Sequence, residues 1–353
     1  MLANILYGFL ALAVFAAIFA FAYRGYRQGV NALAIAIKTP DGIQAARFVN
    51  IGGIEQWITV RGEDLANPAL LLLHGGPGSA MSGLTYEVLR PLEAHFTVVQ
   101  WDQRGAGKTF GRHGKAGAGE MSIERMVLDG IEVAEWARTD LGKDKLVLVG
   151  LSWGSLLGTE MVARRPDLFS AYVGTGQVVD MRRGEAVGYE ALMARIQAKA
   201  DAKAIAALQA IGPPPYPSRK ALLAERRILF QHGSAEDRAL LRALPLTLFT
   251  APGLSLKDLV DNLRGAMFSI DVLYDALMAY DIRHLGTRFE VPMIYLQGEG
   301  DIQTPTALVQ EYFPEIEAPQ KALVLIEGGA HMAMVTHLEA FMGELVARVG
   351  KLG

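Results

Sequence analysis

Lys145-Leu146-Val147-Leu148-Val149-Gly150-Leu151-Ser152-Trp153-Gly154-Ser155 is an apolar run that ends in a serine held between two glycines. A short continuous apolar run bounded by glycine reads as a parallel strand buried on both faces. The stretch from Trp153 to Arg165 reads as a helix, so Ser152 sits at a strand-to-helix turn. Gly150 and Gly154 have no Cβ, and the turn can tighten until the serine hydroxyl stands above the sheet. In a chain with 38 glycines the Gly-x-Ser-x-Gly string decides little alone. Its place between a buried strand and a helix is what makes it a mount for a nucleophile.

Runs of the same kind recur at Leu70 to Leu73, Phe96 to Gln100, Ala171 to Gly174, Met293 to Gln297 and Ala322 to Ile326. Helical patterns lie between them, as in Ile123 to Leu141, where Val127, Ile131, Ala134 and Leu141 recur on one face. This alternation predicts an α/β fold with a mostly parallel central sheet and helices on both faces. Gln44 to Asn50 and Ile54 to Arg61 alternate apolar and polar residues around Gly52-Gly53, the pattern of a half-solvated antiparallel hairpin. From Val179 to Leu285 no strand pattern occurs. That stretch is helical, broken at Pro213-Pro214-Pro215-Tyr216-Pro217 and Ala251-Pro252-Gly253, and reads as a helical cap inserted into the sheet domain. A last amphipathic helix is expected from Met332 to Val349. The expected division is therefore 1–27 for an N-terminal helix, 28–178 and 286–353 for the two parts of the core, and 179–285 for the cap.

With 353 residues, 51% of them hydrophobic, the chain has ample material for a core. A net charge of −3 leaves no electrostatic footprint for nucleic acid, so none is expected as a partner. Zero cysteines exclude disulfides, thiolate metal sites and a cysteine nucleophile. No His or carboxylate cluster has metal-ligand spacing.

Ile5 to Tyr23 is uncharged and strongly apolar, and Arg24 and Arg27 follow it. A helix of that length nearly matches a hydrocarbon core of ~30 Å, so a membrane anchor is the first reading. A cleaved signal peptide leading to a secreted or periplasmic protein is the second, supported by Ala20-Phe21-Ala22. The absence of Lys or Arg before the run and its length favour the anchor. Basic residues on its carboxyl side put the globular part in the cytoplasm by the positive-inside rule.

A serine hydroxyl needs an imidazole to take its proton and a carboxylate to hold that imidazole. Of seven histidines, His331 lies in Gly328-Gly329-Ala330-His331, just after the last strand pattern, where such sheets present functional groups. The acid is expected between Ser152 and His331 in chain order, again after a strand. Asp301 fits best and Glu299 is the runner-up. An oxyanion also needs main-chain N–H donors. Trp153, next to the nucleophile, supplies one; Gly76, in His74-Gly75-Gly76-Pro77-Gly78 after Leu73, supplies the other, with Gly75 as the near alternative. His74 then shapes the loop. These residues predict a serine hydrolase that cleaves carboxylic esters or small amides through an acyl-enzyme.

The segments His74 to Gly78, Trp101-Asp102-Gln103-Arg104-Gly105 and Gly150 to Ser155, in this order, resemble the prolyl iminopeptidase family of α/β-hydrolases. The resemblance covers about Ile51 to Gly174 and Val291 to the end. It implies an α/β-hydrolase fold with no cofactor, and the same roles for Ser152, Asp301, His331, Gly76 and Trp153. It also implies structural roles for Asp102 and Arg104 and a cap whose acids grip a free N-terminal amine. The Trp-x-x-Trp-Glu segment typical of that cap is missing, since Trp57, Trp101, Trp136 and Trp153 all lie outside the insertion. Small esters and short peptides or amides thus both stand as substrates, carboxylesterase-like first and aminopeptidase second; a non-catalytic binding module is the reading from another class. Acids of the insertion such as Glu185, Glu190, Asp271, Asp275 and Asp281 read as a solvated face. Ala266-Met267-Phe268-Ser269-Ile270 is a candidate lining for an acyl pocket.

Overall fold

The computed structural model describes residues 2–84 and 88–352. A hairpin of β1 (Ile43–Ile51) and β2 (Ile54–Gly62) turns at Gly52 and Gly53, with φ of 56° and 80°, which glycine reaches without strain. Six parallel strands follow: β3 (Ala69–Leu73), β4 (Thr97–Asp102), β5 (Leu146–Leu151), β6 (Phe169–Thr175), β7 (Met293–Gly298) and β8 (Lys321–Ile326). The sheet order is β1-β2-β4-β3-β5-β6-β7-β8, and β2 meets β4 antiparallel.

Each central strand feeds two cores, which is why its sequence is apolar throughout rather than alternating. Leu71, Leu73, Leu146, Leu148 and Tyr295 pack into one core with α3 (Ile123–Leu141) and α4 (Trp153–Arg164). Leu70, Leu72, Val147, Val149 and Leu296 pack into the other with Phe341, Leu345 and Val349 of α12 (Leu338–Val349). Ser122 Oγ accepts the Arg125 N–H to open α3, and Gly142 at φ 61° closes it.

Between β6 and β7 come five helices: α5 (Met181–Ala198), α6 (Ala202–Ile211), α7 (Arg219–His232), α8 (Ala235–Thr250) and α9 (Leu256–Met278). Each begins at a capping side chain, respectively Asp180, Asp201, Ser218, Ser234 and Ser255. The proline clusters fall in the gaps between α6 and α7 and between α8 and α9.

Three elements depart from the sequence reading. Helix α2 (Gly107–Gly117) was hidden by its glycines, which are poor helix formers. Helix α1 (Leu2–Ala34) runs past Arg27 to Ala34. The single helix expected from Met332 is two pieces, α11 (Ala333–Thr336) and α12, separated at His337 with φ −125° and ψ 45°. Thr336 Oγ1 donates back to Met332 O at 3.1 Å, a local bond that competes with helix continuation. Helix α10 (Thr306–Tyr312) follows the loop after β7.

Candidate active site

Ser152, between β5 and α4, has φ 54° and ψ −120°, a conformation that side-chain-bearing residues rarely adopt. Its surroundings hold it there. The Ser152 N–H donates to Thr175 O at 2.9 Å, and Ser155 Oγ donates to Ser152 O at 2.6 Å. A Cβ on Gly154 would lie 2.2 Å from Leu73 O, and one on Gly150 would lie 2.6 Å from Gly154 O. Both flanking positions therefore require glycine for close approach.

His331, in the loop between β8 and α11, accepts the Ser152 hydroxyl proton on Nε2 at 3.1 Å. Its Nδ1–H donates to Asp301 Oδ2 at 2.9 Å. Gly176, at φ 52°, leaves the space for this ring, since a Cβ there would sit 3.0 Å from His331 Cε1. Asp301, just after β7, is buried and heavily bonded. Its Oδ1 accepts the main-chain N–H of Gln303 at 2.8 Å and of Thr304 at 3.0 Å. Its Oδ2 also accepts the Thr304 hydroxyl at 2.8 Å and the Gln297 amide at 3.1 Å. Burial opposes ionisation here, but the His331 ring and the Thr304 donors outweigh it and hold the carboxyl below its usual range. Glu299 instead accepts the Gly328 N–H at 3.4 Å.

The loop after β3 passes against the nucleophile: a Cβ on Gly75 would be 3.3 Å from Ser152 Cβ. Gly76 has φ 127°, and a Cβ there would be 2.6 Å from Gly78 N, so only glycine fits. Trp153 is the first residue of α4, and its main-chain N–H has no acceptor within the helix. Gln103, which sequence reasoning did not single out, ties the two loops together. Its amide donates to His74 O at 3.2 Å and its Oε1 accepts the Trp153 indole N–H at 3.0 Å. Its main-chain N–H donates to His74 Nε2 at 3.2 Å, while His74 Nδ1–H donates to Gly75 O at 2.8 Å. The motif carries a faint signal for this, because Trp-Asp-Gln-Arg-Gly presents one uncharged polar side chain between two charged ones.

That network fixes His74 as a neutral ring. Burial, partly offset by the Gly75 bond, pulls it from 6.5 down to about 4. The unfolded chain therefore binds a proton between these values that the folded chain refuses, and stability falls as pH falls. From pH 7.5 to pH 5 the wild type is expected to lose about 2 kcal/mol more than His74→Asn in urea melts. Equal losses would show that His74 is not held neutral.

Asp102 and Arg104 hold structure, as expected. Asp102 accepts the Lys108 N–H at 2.8 Å at the start of α2, and Arg104 Nε donates to the buried Asp129 at 2.7 Å. Helix α9 closes over the glycine loop, since a Cβ on Gly78 would lie 2.8 Å from Ala266 Cα, and Ser269 Oγ donates to Gly105 O at 2.9 Å. Within Ala266 to Ile270, then, Ala266 and Ser269 pack on these loops, while Met267 faces out.

Of the acids named in the insertion, Glu185 pairs with Arg226, Asp271 with Arg219 and Asp281 with Arg283, while Glu190 and Asp275 are exposed. The acid nearest in character to an open binding group is one the sequence did not reveal. Asp237, in the first turn of α8, is buried, and its Oδ1 has no hydrogen-bond partner among the described residues. Burial pushes its carboxyl up, and the charged groups around it include His331 and Asp301. Nothing in its local sequence separates it from a helix-start acid.

Residues 68–201 match the family described as alpha/beta hydrolase fold. Over 315 residues the chain is 30% identical to the probable aminopeptidase YbaC of Bacillus subtilis (strain 168), covering 88% of this chain and 97% of that protein. A proline iminopeptidase-related protein of Thermus thermophilus superposes with TM-score 0.61 at 21% identity, over 88% of this chain and 98% of that one. An esterase from Rhodococcus sp. ECU1013 superposes with TM-score 0.56 at 20% identity, over 89% and 100% respectively. The sheet, the loops at its carboxyl edge and a full-length relative at this identity place the chain in the prolyl iminopeptidase-like α/β-hydrolases.

Proposed function

We propose that this hydrolase is a serine enzyme that opens carboxylic esters or small amides through an acyl-enzyme. The observation that supports the reading best is the unbroken chain of hydrogen bonds from Ser152 Oγ through both ring nitrogens of His331 to Asp301. Ser152 Oγ attacks the carbonyl carbon as His331 Nε2 takes its proton, and Asp301 stabilises the imidazolium that results. The N–H groups of Gly76 (or Gly75) and Trp153 receive the oxyanion. His331 then protonates the departing alcohol or amine, and water reverses the sequence to release the acid. No step calls for a cofactor. Helix α1 serves as the membrane anchor in this reading, because it is long and apolar enough to cross a bilayer and its apolar window is wholly exposed.

A second reading, release of an N-terminal residue from a short peptide, is favoured by one feature of the chain. The Asp237 oxygen that has no partner among the described residues, in the field of His331 and Asp301, suits a substrate ammonium, and the relative YbaC is named a probable aminopeptidase. Aryl esters assayed beside prolyl and alanyl arylamides separate the two. For an aminopeptidase, Asp237→Asn is expected to raise KM for arylamides about tenfold or more, the loss of one charge-assisted hydrogen bond, and to spare ester turnover. Turnover of esters alone, indifferent to Asp237, supports the esterase. A serine-directed phosphonate that leaves wild type unlabelled, or labels Ser152→Ala equally, points to a binding module instead.

A further inference from the structure

We propose that the outward face of α9 rests on a lipid bilayer with anionic headgroups, so that the helix closing the candidate active site is also the globular domain's membrane contact. The proposal rests on the reading of α1 as a retained anchor.

Helix α9 is apolar on the wrong side for a helix that meets water. Its inner face is Asp261, Gly265, Ser269, Leu273 and Leu277, spaced by four and buried. On the opposite side Leu256, Val260, Leu263 and Met267 recur at helical spacing, exposed by 38%, 46%, 67% and 39%. A surface helix of a water-facing domain carries polar residues there. Leu263 and Met267, with Phe110 and Phe268, also line an open groove of about 610 Å³ between α2 and α9. Contiguous apolar surface of this kind marks a contact with something else.

Helix α1 indicates what that is. Its apolar part stands free of the domain, and its first cation, Arg24, is docked by specific bonds. Arg24 donates to Phe249 O at 2.9 Å and Leu254 O at 2.6 Å. Gln28 donates to Ala251 O at 2.8 Å, and the buried Asn31 donates to Thr250 O at 3.1 Å. All these acceptors lie in the end of α8 and the loop that leads into α9. The first charge after an apolar span sits at headgroup depth, so this loop does too. Leu256 begins α9 two residues after Leu254, which brings the exposed stripe to the same interface.

Charge agrees with this placement. Asp258 is occupied in the capping box of α9, Asp261 pairs with Lys257, and Asp271 pairs with Arg219. Arg264 is exposed with no carboxylate partner among the described residues, and Lys115 lies across the groove from it. An apolar stripe flanked by cations is the composition of an interfacial helix on anionic lipid.

The cysteine-free chain permits a direct test. Leu263→Cys, Leu12→Cys and Asp144→Cys, each in the full chain, carry an environment-sensitive fluorophore and are reconstituted into phosphatidylcholine–phosphatidylglycerol vesicles containing nitroxide lipids. Asp144 is exposed just before the central strand β5, at the amino ends of the parallel strands. The expected result is quenching at Leu263 approaching that at Leu12, with none at Asp144. Quenching at Leu12 alone overturns the docking while leaving the anchor intact. No quenching at either overturns both. A blue shift at Leu263 without lipid quenching assigns the stripe to a second copy of the chain and likewise overturns the proposal.

Discussion

Ser152→Ala is expected to lower kcat/KM about a million-fold, the scale on which removing a triad nucleophile acts, while leaving the urea midpoint near that of wild type. Alanine meets the same backbone geometry at φ 54°, so the substitution deletes the hydroxyl and little else. His331→Ala should lose about as much, and the double variant scarcely more, because the two act as one unit. Asp301→Asn removes the charge that holds His331 in its tautomer and should cost about ten-thousand-fold. Steady-state kinetics on an aryl ester check all four. Strictly additive losses, or a Ser152→Ala enzyme within a hundredfold of wild type, would mean that the three side chains meet without acting together.

The parts of this site that the sequence revealed share one property: each follows a strand that is apolar on both faces. Ser152 after β5, Asp301 after β7, His331 after β8 and Gly76 after β3 could be placed because short continuous apolar runs mark parallel strands, even at the partly exposed edge strand β8, and functional groups gather at their carboxyl ends. What stayed hidden is held by side chains whose partners are distant in the chain. Gln103 bonds Trp153 from 50 positions away, and one uncharged polar side chain in its motif is only a faint signal of that pairing. Thr304 and Gln297 are the exception, bonding Asp301 from only three and four positions away, because polar residues beside a strand end look alike until the chain is folded. Asp237 reads as a favourable charge at a helix start, and only its burial in the field of His331 and Asp301 distinguishes it. The outward stripe of α9 is a different kind of omission: periodicity gives a helix its apolar residues, but not which of two faces meets the core.

Asp129→Ala is expected to destabilise the fold by about 3–5 kcal/mol, the range found when one partner is deleted from a buried ion pair. Asp129 on α3 is fully buried and accepts from Arg104 Nε at 2.7 Å, Arg104 Nη2 at 3.2 Å, Arg125 Nε at 2.9 Å and Gln56 Nε2 at 2.8 Å. Arg104 is itself buried, and it also donates to Gly52 O at 2.8 Å and to Ala118 O. The cluster therefore joins the hairpin turn, the loop after β4 and α3 around one carboxylate. Removing it leaves a guanidinium that has lost its counter-charge and cannot reach water. Glu311→Ala provides the contrast, because the Arg183–Glu311 pair is about half exposed on both sides and solvent screening leaves such pairs contributing little. Urea melts of both variants against wild type measure the difference. Arg104 adjoins Gln103, which ties the glycine loop to Trp153, so loosening this cluster should also lower kcat at temperatures where the variant remains folded. An Asp129→Ala protein as stable as Glu311→Ala would mean that Arg104 finds other acceptors, and that the loop after β4 is positioned by its backbone alone.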